Sequence, residues 1–328
     1  MNQKQSVFIL FLLFIVGSSF SQTFYSDPLA HTYSIVARDP ETGEMGVAVQ
    51  SHWFSVGSDV SWAEAGVGAI ATQSLVNVSY GPRGLEMLKK GMSAQEVVDA
   101  LIEADDGQDV RQLAVVDAKG GVATHTGKRC IPEAGHYTGE NFSVQANMML
   151  KNTVWGAMAK AFQESEGPLA ERMVAALEAA QAEGGDIRGK QSASILVVKG
   201  ESTGKLWEDR MIDLRVEDHP EAVQEIKRIL SLYRAYEYMN KGDLALEHND
   251  VDGALENYGA AEALFPDNLE MKYWHAISLA NIGKIDESLP IFHEVFQKNN
   301  HWRILTERLP SVQLLNIEEM ELKKILSQ

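Results

Sequence analysis

The chain has 328 residues, enough for two domains or for one large domain with a small extension. Apolar residues make up 45% and charged residues 23%, the composition of a globular protein. The formal net charge of −17 disfavours nucleic acids and anionic membrane surfaces as partners, because both are bound by basic faces. A single cysteine, Cys130, excludes an intrachain disulfide and a multi-cysteine metal site.

The first 21 residues are typical of a secretory signal peptide. Lys4 precedes an apolar run at residues 7–16, which is too short to span a bilayer, and small residues surround a cleavage site expected after Ser21. We therefore expect residues 1–21 to be removed and residues 22–31 to remain as a short leader. The protein would then be periplasmic or secreted, with no integral membrane span left. A buried N-terminal helix is the alternative interpretation.

Residues 32–219 contain strands that alternate with pairs of helices. Turn residues at 39–43 and 118–121 each separate two strand-like segments, which predicts two β-hairpins. Pro82 suits the first turn of a helix, and Ser93 begins a capping-box pattern. In chain order, we predict strands at 33–38, 45–50 and 67–73, helices at 82–89 and 93–103, strands at 113–117, 122–126 and 142–146, helices at 154–164 and 169–182, and strands at 193–199 and 212–216.

This order of elements predicts an α+β fold. Paired strands with paired helices favour a sandwich of sheets with helices outside, whereas a doubly wound sheet would need simple βαβ alternation. In the first strand, Tyr33, Ile35 and Ala37 share one face, which is the period of a strand with a buried side.

Residues 220–328 are predicted to form an all-α domain. A long helix at 220–238 leads into a repeat with a period of 34 residues, and a tail helix is expected near 317–326. Small and aromatic residues recur at equivalent positions, namely Gly242, Ala254, Tyr258 and Ala261, then Ala276, Ser288, Phe292 and Val295. The pattern resembles a pair of tetratricopeptide repeats. Because two repeats are few, we expect the leading and tail helices to cover their ends.

Common catalytic and cofactor motifs are absent from the sequence. It contains no nucleophile elbow, zinc-protease, P-loop or dinucleotide-binding pattern, and Gly66 and Gly68 are interpreted as close strand packing. The nine histidines do not cluster at metal-ligand spacing, and His52 and His125 are interpreted first as hydrogen-bonded structural residues. We therefore expect no cofactor and no metal site.

Thr32 is the candidate nucleophile. It leads the first strand, and cleavage of the bond before it would place a free α-amine beside its own hydroxyl. An α-amine with a pKa of about 7.7–8.0 can take the hydroxyl proton at neutral pH, so one residue would supply both nucleophile and base. The alternative interpretation is a β-branched residue that simply favours a strand. Ser34 is a weaker candidate, because it shares the face of Thr32 but lacks that amine.

Several segments resemble one protein family. The first of them begins Thr-Tyr-Ser-Ile-Val-Ala-Arg-Asp-Pro-Glu-Thr-Gly at Thr32. The similarity to the domain family of unknown function numbered 1028 lies in residues 32–51, 62–73, 80–85, 184–192 and 213–220. This resemblance implies the four-layer αββα sandwich of the N-terminal nucleophile (Ntn) hydrolases over residues 32–219, with Thr32 as the leading threonine. It also implies that the C-terminal extension binds peptidoglycan.

The chain departs from the family pattern beside Thr32. In many relatives the leading threonine directly follows the initiator methionine, whereas here a cut between His31 and Thr32 would be needed to expose it. Proteasome-type members of the superfamily also keep a lysine and an aspartate near the nucleophile. The second strand of this chain has Gln50 and Ser51 instead.

Other polar residues are candidates for substrate or oxyanion contacts. Gln73, Asn77 and Asn147 stand at or just beyond the ends of predicted strands, and each can donate from a carboxamide. The remaining candidates are His52 after the second strand and, in or next to a glycine-rich loop, Asp186, Arg188, Gln191 and Ser192. The alternative roles are loop capping, satisfied buried amides and, for Asp186 and Arg188, a local ion pair that shapes the turn.

Two functions of different classes remain open. An exported amidohydrolase would use Thr32 on a small amide or peptide substrate, with cell-wall material as one source. A non-catalytic scaffold would instead bind a protein or peptidoglycan partner through its helical repeats. The sequence also leaves open a homo-oligomer.

Overall fold

The computed structural model of the protein describes residues 29–30, 32–248 and 250–328. The predicted signal peptide at 1–21 lies outside the described residues, and so does the predicted leader apart from Leu29–Ala30. None of the described helices is both long and apolar enough to cross a membrane.

The described chain contains two sheets and a series of helices. The strands are β1 (Leu29–Ala30), β2 (Thr32–Arg38), β3 (Met45–Ser51), β4 (Ser61–Glu64), β5 (Gly68–Leu75), β6 (Arg111–Asp117), β7 (Val122–Thr126), β8 (Gly135–Gly139), β9 (Phe142–Ala146), β10 (Ser192–Val198) and β11 (Arg210–Val216). The α-helices are α1 (Gly57–Val60), α2 (Tyr80–Lys89), α3 (Ala94–Glu103), α4 (Val154–Glu164), α5 (Leu169–Ala182), α6 (Leu206–Asp209), α7 (Ala222–Glu247), α8 (Val251–Leu264), α9 (Leu269–Asn281), α10 (Ile285–Lys298), α11 (His301–Arg308) and α12 (Glu319–Leu326). Short 3₁₀ helices lie at Gln108–Val110 and Leu309–Val312.

Both sheets are antiparallel in every pairing of the described strands. In the first sheet the order is β1-β5-β6-β7, and β4 also pairs with β5. In the second sheet the order is β11-β10-β3-β2-β9-β8. The β2–β3 hairpin sets Thr32 opposite Ser51 and Arg38 opposite Met45. The chain therefore leaves the first sheet after Leu29–Ala30 and begins the second sheet at Thr32.

Alternating apolar residues bury both faces of each sheet. Ile35 and Ala37 of β2 pack with α4 and α5, which cover the outer face of the second sheet. Val36 of the same strand packs with Val47 of β3 and Ala71 of β5, between the two sheets. α2 and α3 cover the outer face of the first sheet. The layers therefore run helices, sheet, sheet, helices.

The predicted α+β class with a C-terminal helical region is confirmed. α4 and α5 have the predicted bounds, and both hydrogen bonds of the Ser93 capping box are present. The sequence pattern did not predict β1, β4, β8 or the one-turn helices α1 and α6, and α2 begins at Tyr80 rather than at residue 82.

The helical region begins with a longer helix than predicted. α7 has 26 residues and ends at Glu247, so the predicted end at residue 238 was wrong. α7 continues through Gly242. The glycine is needed there because the ring of Tyr258 packs directly against it. A Cβ on Gly242 would lie 2.7 Å from Tyr258 Cε1. α7 packs both on α5 of the sandwich and on α8, so it joins the two regions.

α7 to α10 contain the residues of the predicted repeat, with Gly242 in α7. The eight recurring residues named for its two halves are all buried. The tail helix begins at Glu319, slightly later than expected, and α11 was not predicted.

Candidate active site

Thr32 is fully buried as the first residue of β2. Side chains alternate along a strand, so Thr32 lies on the same face as Ser34 and Val36, the face that meets the first sheet. Its neighbour across the β2–β3 pair is Ser51, which pairs in turn with Ser192 of β10. The candidate nucleophile therefore lies at one end of the space between the sheets.

Three N–H groups converge on the carbonyl oxygen of Thr32. The backbone N–H of Asn147 donates to this oxygen at 3.0 Å, Nε2 of Gln73 at 3.2 Å and Nδ2 of Asn147 at 3.4 Å. Gln73 belongs to β5 of the first sheet, and Asn147 follows β9 of the second. Two of the predicted oxyanion candidates thus meet at Thr32, where they hold its backbone from both sheets.

A chain of buried hydrogen bonds continues from this carbonyl. Gln145 Nε2 donates to Ser34 Oγ at 2.5 Å, and Ser34 Oγ donates to Gln73 Oε1 at 2.6 Å. Ser143 Oγ donates to Gln145 Oε1 at 3.2 Å. Ser34 is therefore bonded on both sides and directs its proton at Gln73.

Gln112 of β6 is a member of this network that the sequence pattern did not predict. It is fully buried, and its Oε1 accepts from Gln73 Nε2 at 2.6 Å and from Asn147 Nδ2 at 2.9 Å. The sequence does contain a signal for it. Gln112 alternates with Ala114 and Val116 along β6, and these two residues pack between the sheets. A glutamine in register with that inward face has to find polar partners there.

Polar and apolar residues divide the space between the sheets along its length. At the Thr32 end, β2, β5, β6 and β9 each turn a hydroxyl or carboxamide inward. Further along β2, β5 and β6 the inward residues include the apolar Val36, Ala69 and Val116, whereas β9 continues with Ser143. The carboxamides of this network therefore lie at the Thr32 end, while hydroxyl groups also occur elsewhere in the interface, as in the pair of Ser61 and Ser194.

Two residues with a left-handed backbone flank the network. Ser74 follows Gln73 with a φ of 76°, and Met148 follows Asn147 with a φ of 57°. Residues other than glycine rarely adopt this conformation, which costs about 1–3 kcal/mol where it is strained. The chain thus turns in an uncommon way directly after both carboxamides that meet Thr32, and such strain is concentrated at functional sites.

Asp186, Arg188 and His52 form a second group at the same end of the second sheet. Asp186 accepts from the His52 backbone N–H at 3.2 Å and from Arg188 Nη2 at 2.7 Å, so the pair of Asp186 and Arg188 is the local ion pair considered above. His52 Nδ1 is buried with no hydrogen-bond partner among the described residues. Burial, and then the carboxylate of Asp186, raise the pKa of Tyr33 well above its usual value. The Tyr33 hydroxyl therefore stays protonated and donates to Gln181 at 3.1 Å.

The other predicted candidates form bonds elsewhere. Asn77 Nδ2 donates to Asp105, Ser192 Oγ donates to the Trp53 carbonyl, and the Gln191 backbone N–H donates to the Ser51 carbonyl. These contacts connect the loops around the Thr32 end of the sheets.

Gln50 and Ser51 lie on opposite faces of β3. Ser51 is opposite Thr32, whereas Gln50 is opposite Tyr33 and so points towards the α4–α5 layer. Gln50 is fully buried, and neither of its carboxamide atoms has a hydrogen-bond partner among the described residues. Only Ser51 therefore shares the face of Thr32.

The chemistry available at Thr32 is that of a hydroxyl residue held by the neutral carboxamides of Gln73 and Asn147. Within the described part of the chain, no group of three or more His, Cys, Asp or Glu side chains is placed to hold a metal ion. A hydroxyl at the start of a strand, with its own backbone fixed by side chains, suits nucleophilic attack once a base is available.

The molecule is a two-sheet α+β protein in which polar side chains hold the first residue of β2. Its similarity to known proteins identifies the family. Residues 32–226 match the family described as "Family of unknown function (DUF1028)". This match spans more than half of the chain, so the protein belongs to the DUF1028 family, and the resemblance noted in the sequence is confirmed at that level. None of the curated proteins matches the chain.

Two solved structures are similar to parts of this chain. One is protein SPO2555 from Silicibacter pomeroyi, a DUF1028 protein, with 29% identity and a TM-score of 0.56 over 66% of this chain and 92% of its own. The other is Anbu (ancestral beta-subunit) from Yersinia bercovieri, with 14% identity and a TM-score of 0.31 over 61% of this chain and 93% of its own. A TM-score of 0.31 does not establish a shared fold.

Proposed function

We propose that the protein is an exported Ntn-type amidohydrolase in which Thr32 cleaves an amide or peptide bond. The observation that carries this proposal is the convergence of donors from both sheets on the carbonyl of Thr32, the residue that the family motif places first. The order of layers, with helices outside two facing sheets, supports the αββα sandwich implied by the resemblance. The signal-like residues 1–21 support export to the periplasm or the medium.

The proposed reaction uses one residue as both base and nucleophile. The α-amine of the liberated Thr32 takes the proton from Oγ, and Oγ attacks the substrate carbonyl carbon. The carbon–nitrogen bond then breaks, and the leaving amine takes the proton from the Thr32 ammonium. Water hydrolyses the resulting ester, which releases the acid and restores the Thr32 hydroxyl. Clamping the Thr32 carbonyl fixes the backbone that carries both reacting groups.

Processing before Thr32 is part of the proposal. Thr32 is fully buried in the uncut chain, so this end of the sheets has to open before a substrate can reach it. Leu29–Ala30 pair with β5 of the first sheet, whereas Thr32 starts the second. Cutting the bond before Thr32 would therefore separate two strands of different sheets without breaking a pairing within the second sheet.

The mature N-terminus tests this proposal. Intact-mass analysis of the exported protein should give a chain that begins at Thr32. A β-lactone should then acylate the parent chain, while Thr32→Ala should show no such adduct. Thr42→Ala, in an exposed turn, is the matched control and should be labelled like the parent. Equal labelling of Thr32→Ala and Thr42→Ala would rule the mechanism out.

A non-catalytic scaffold is the second candidate function, because the helical region contains a cavity. This cavity has a volume of about 490 Å³ and is lined by residues of α7, α8 and α9, among them Tyr258, Trp274 and Ile277. In this alternative, tetratricopeptide-like repeats bind a protein or peptidoglycan partner there. An exported chain that begins at Gln22 and is never cut further would favour it over the hydrolase.

A further inference from the structure

The orientation of the Gln112 carboxamide is fixed by two backbone carbonyls, which can only accept. Its Nε2 donates to the backbone carbonyls of Gly135 at 3.2 Å and Ala146 at 3.0 Å, and to Thr126 Oγ1 at 2.9 Å. A carbonyl oxygen cannot donate, so the NH₂ end of Gln112 has to face β8 and β9. Its Oε1 is consequently turned towards Gln73 and Asn147.

This orientation decides which ends of two other carboxamides meet Thr32. Gln112 Oε1 can only accept, so Gln73 and Asn147 have to present their NH₂ groups to it. The same two nitrogen atoms then lie 3.2 Å and 3.4 Å from the Thr32 carbonyl oxygen. The backbone carbonyl of Gln145 also accepts from Gln73 Nε2, at 3.4 Å, and favours the same orientation of Gln73. If Gln112 were reversed, its NH₂ group would face the NH₂ groups of Gln73 and Asn147, which would weaken their hold on the Thr32 carbonyl.

We propose that Gln112 is the positioning residue of the Thr32 site: it orients the carboxamides of Gln73 and Asn147 so that their N–H groups hold the Thr32 carbonyl. This inference rests on the proposed function, because it assigns Gln112 a role in placing the Thr32 hydroxyl and amine. Gln112 acts on that residue through Gln73 and Asn147. It belongs to the first sheet while its NH₂ partners Gly135 and Ala146 belong to the second, so it also fixes the two sheets to each other at this point.

Two substitutions distinguish the orienting hydrogen bonds of Gln112 from the space that its side chain fills. Gln112→Met keeps the length of the side chain and removes every hydrogen bond, so acylation of Thr32 by a β-lactone should slow about tenfold or more at every pH. Gln112→Glu keeps a donor only while its carboxyl group is protonated. When it ionises, it repels the carbonyls of Gly135 and Ala146. Burial raises the pKa of such a carboxyl group, so the rate of Gln112→Glu relative to the parent should fall as the pH rises.

The experiment uses the chain that begins at Thr32, produced by removal of an initiator methionine. Labelling rates are followed by intact mass between pH 7 and 9. His136 is the ionisable group connected to Gln112, through Thr126 Oγ1 at 2.8 Å. Burial, and then His125, lower the pKa of His136 from its usual value, so His136 stays neutral throughout this range. Circular dichroism and urea unfolding confirm that each variant is folded.

Gln50→Met is the matched control. Gln50 is as deeply buried as Gln112, but it lies on the opposite face of the second sheet and its carboxamide is unpaired among the described residues. Its labelling rate should remain within about twofold of the parent. If Gln112→Met is labelled as fast as Gln50→Met, or if the relative rate of Gln112→Glu does not change with pH, the inference is overturned. An unlabelled parent would refute the proposed function itself, and this inference with it.

Discussion

Asp105 lies at the centre of a buried polar cluster that anchors the end of β5 next to the candidate site. Its Oδ2 accepts from Tyr80 at 2.6 Å, from Arg111 Nε at 2.9 Å and from Asn77 at 3.2 Å. Arg111 in turn donates to the carbonyl of Leu75, the last residue of β5. The side chains of Asp105 and Arg111 are only 13% and 4% exposed, so the pair is largely shielded from water.

Asp105→Asn should destabilise the sandwich by about 3 kcal/mol. Breaking a buried ion pair costs about 3–5 kcal/mol, because the remaining charge stays buried without its counterion. We place the loss at the lower end, since the carbonyl oxygen of an asparagine can still accept one of the bonds. The exposed neighbour Asp106 provides the control, and Asp106→Asn should change the stability by less than about 0.5 kcal/mol.

Native-state hydrogen exchange of peptides from β5 and β6 measures this loss in the sandwich alone. A destabilisation of about 3 kcal/mol corresponds to roughly a hundredfold faster exchange of the most protected amides. The double variant Asp105→Asn, Arg111→Met should lose less than the sum of the single losses, because no unpaired charge is left. A loss below about 1 kcal/mol, or additive single losses, would refute the reasoning.

The pH dependence of this effect follows from the pKa of Asp105. Burial alone would raise the pKa of this carboxyl group, but hydrogen bonds from Tyr80 and Arg111 outweigh burial and hold the pKa well below its usual value. Because the unfolded chain binds a proton near pH 4, the stabilisation is complete above that pH and is lost as the pH falls towards the lower folded pKa. The difference in the free energy of unfolding between the parent and Asp105→Asn should therefore become smaller below about pH 4.

Two glycine substitutions test the close packing of helices. Gly81→Ala should lose about 1–3 kcal/mol in urea unfolding, because the new Cβ would lie 2.2 Å from Trp62 Cγ. Gly242→Ala should similarly weaken the α7–α8 contact, since its Cβ would lie 2.7 Å from Tyr258 Cε1. Gly259→Ala is the control, because a Cβ at this position has no neighbour within 4 Å. It should stabilise the protein by up to about 1 kcal/mol through its higher helix propensity. Equal stabilities of the three variants would contradict the close packing at Gly81 and Gly242.

The elements that could be predicted from the sequence carry their own local signals. α3 follows a capping box at Ser93, and the helix periodicity of α4 and α5 is sufficient to give their bounds. β8 carries no such signal, because it is largely exposed at a sheet edge. Its first glycine is required by packing from a distant part of the chain, because a Cβ on Gly135 would meet Trp155 of α4 at 2.6 Å. Such tertiary requirements are not visible in a sequence window.

The residues of the candidate site also fall into those with a local sequence signal and those without one. Thr32, Gln73 and Asn147 were singled out because each stands at the beginning or just at the end of a strand predicted from the sequence, where polar residues draw attention. Gln112 was missed because it lies near the start of a strand that otherwise reads as an apolar core element. Its role depends on β8 and β9 of the other sheet, and no local pattern gives the pairing of two sheets.

The position of the buried carboxamides argues that they serve Thr32 and not the sandwich in general. A buried polar group adds little stability when satisfied and costs about 1–3 kcal/mol when one partner is lost, so apolar residues could hold the sheets together at lower risk. The same strands do use apolar residues further along, where Val36 and Val116 pack between the sheets. Carboxamides enter this space where the network reaches the carbonyl of Thr32, flanked by the left-handed residues Ser74 and Met148. Departures from local rules that cluster around one residue are expected where function, rather than folding, has selected the sequence.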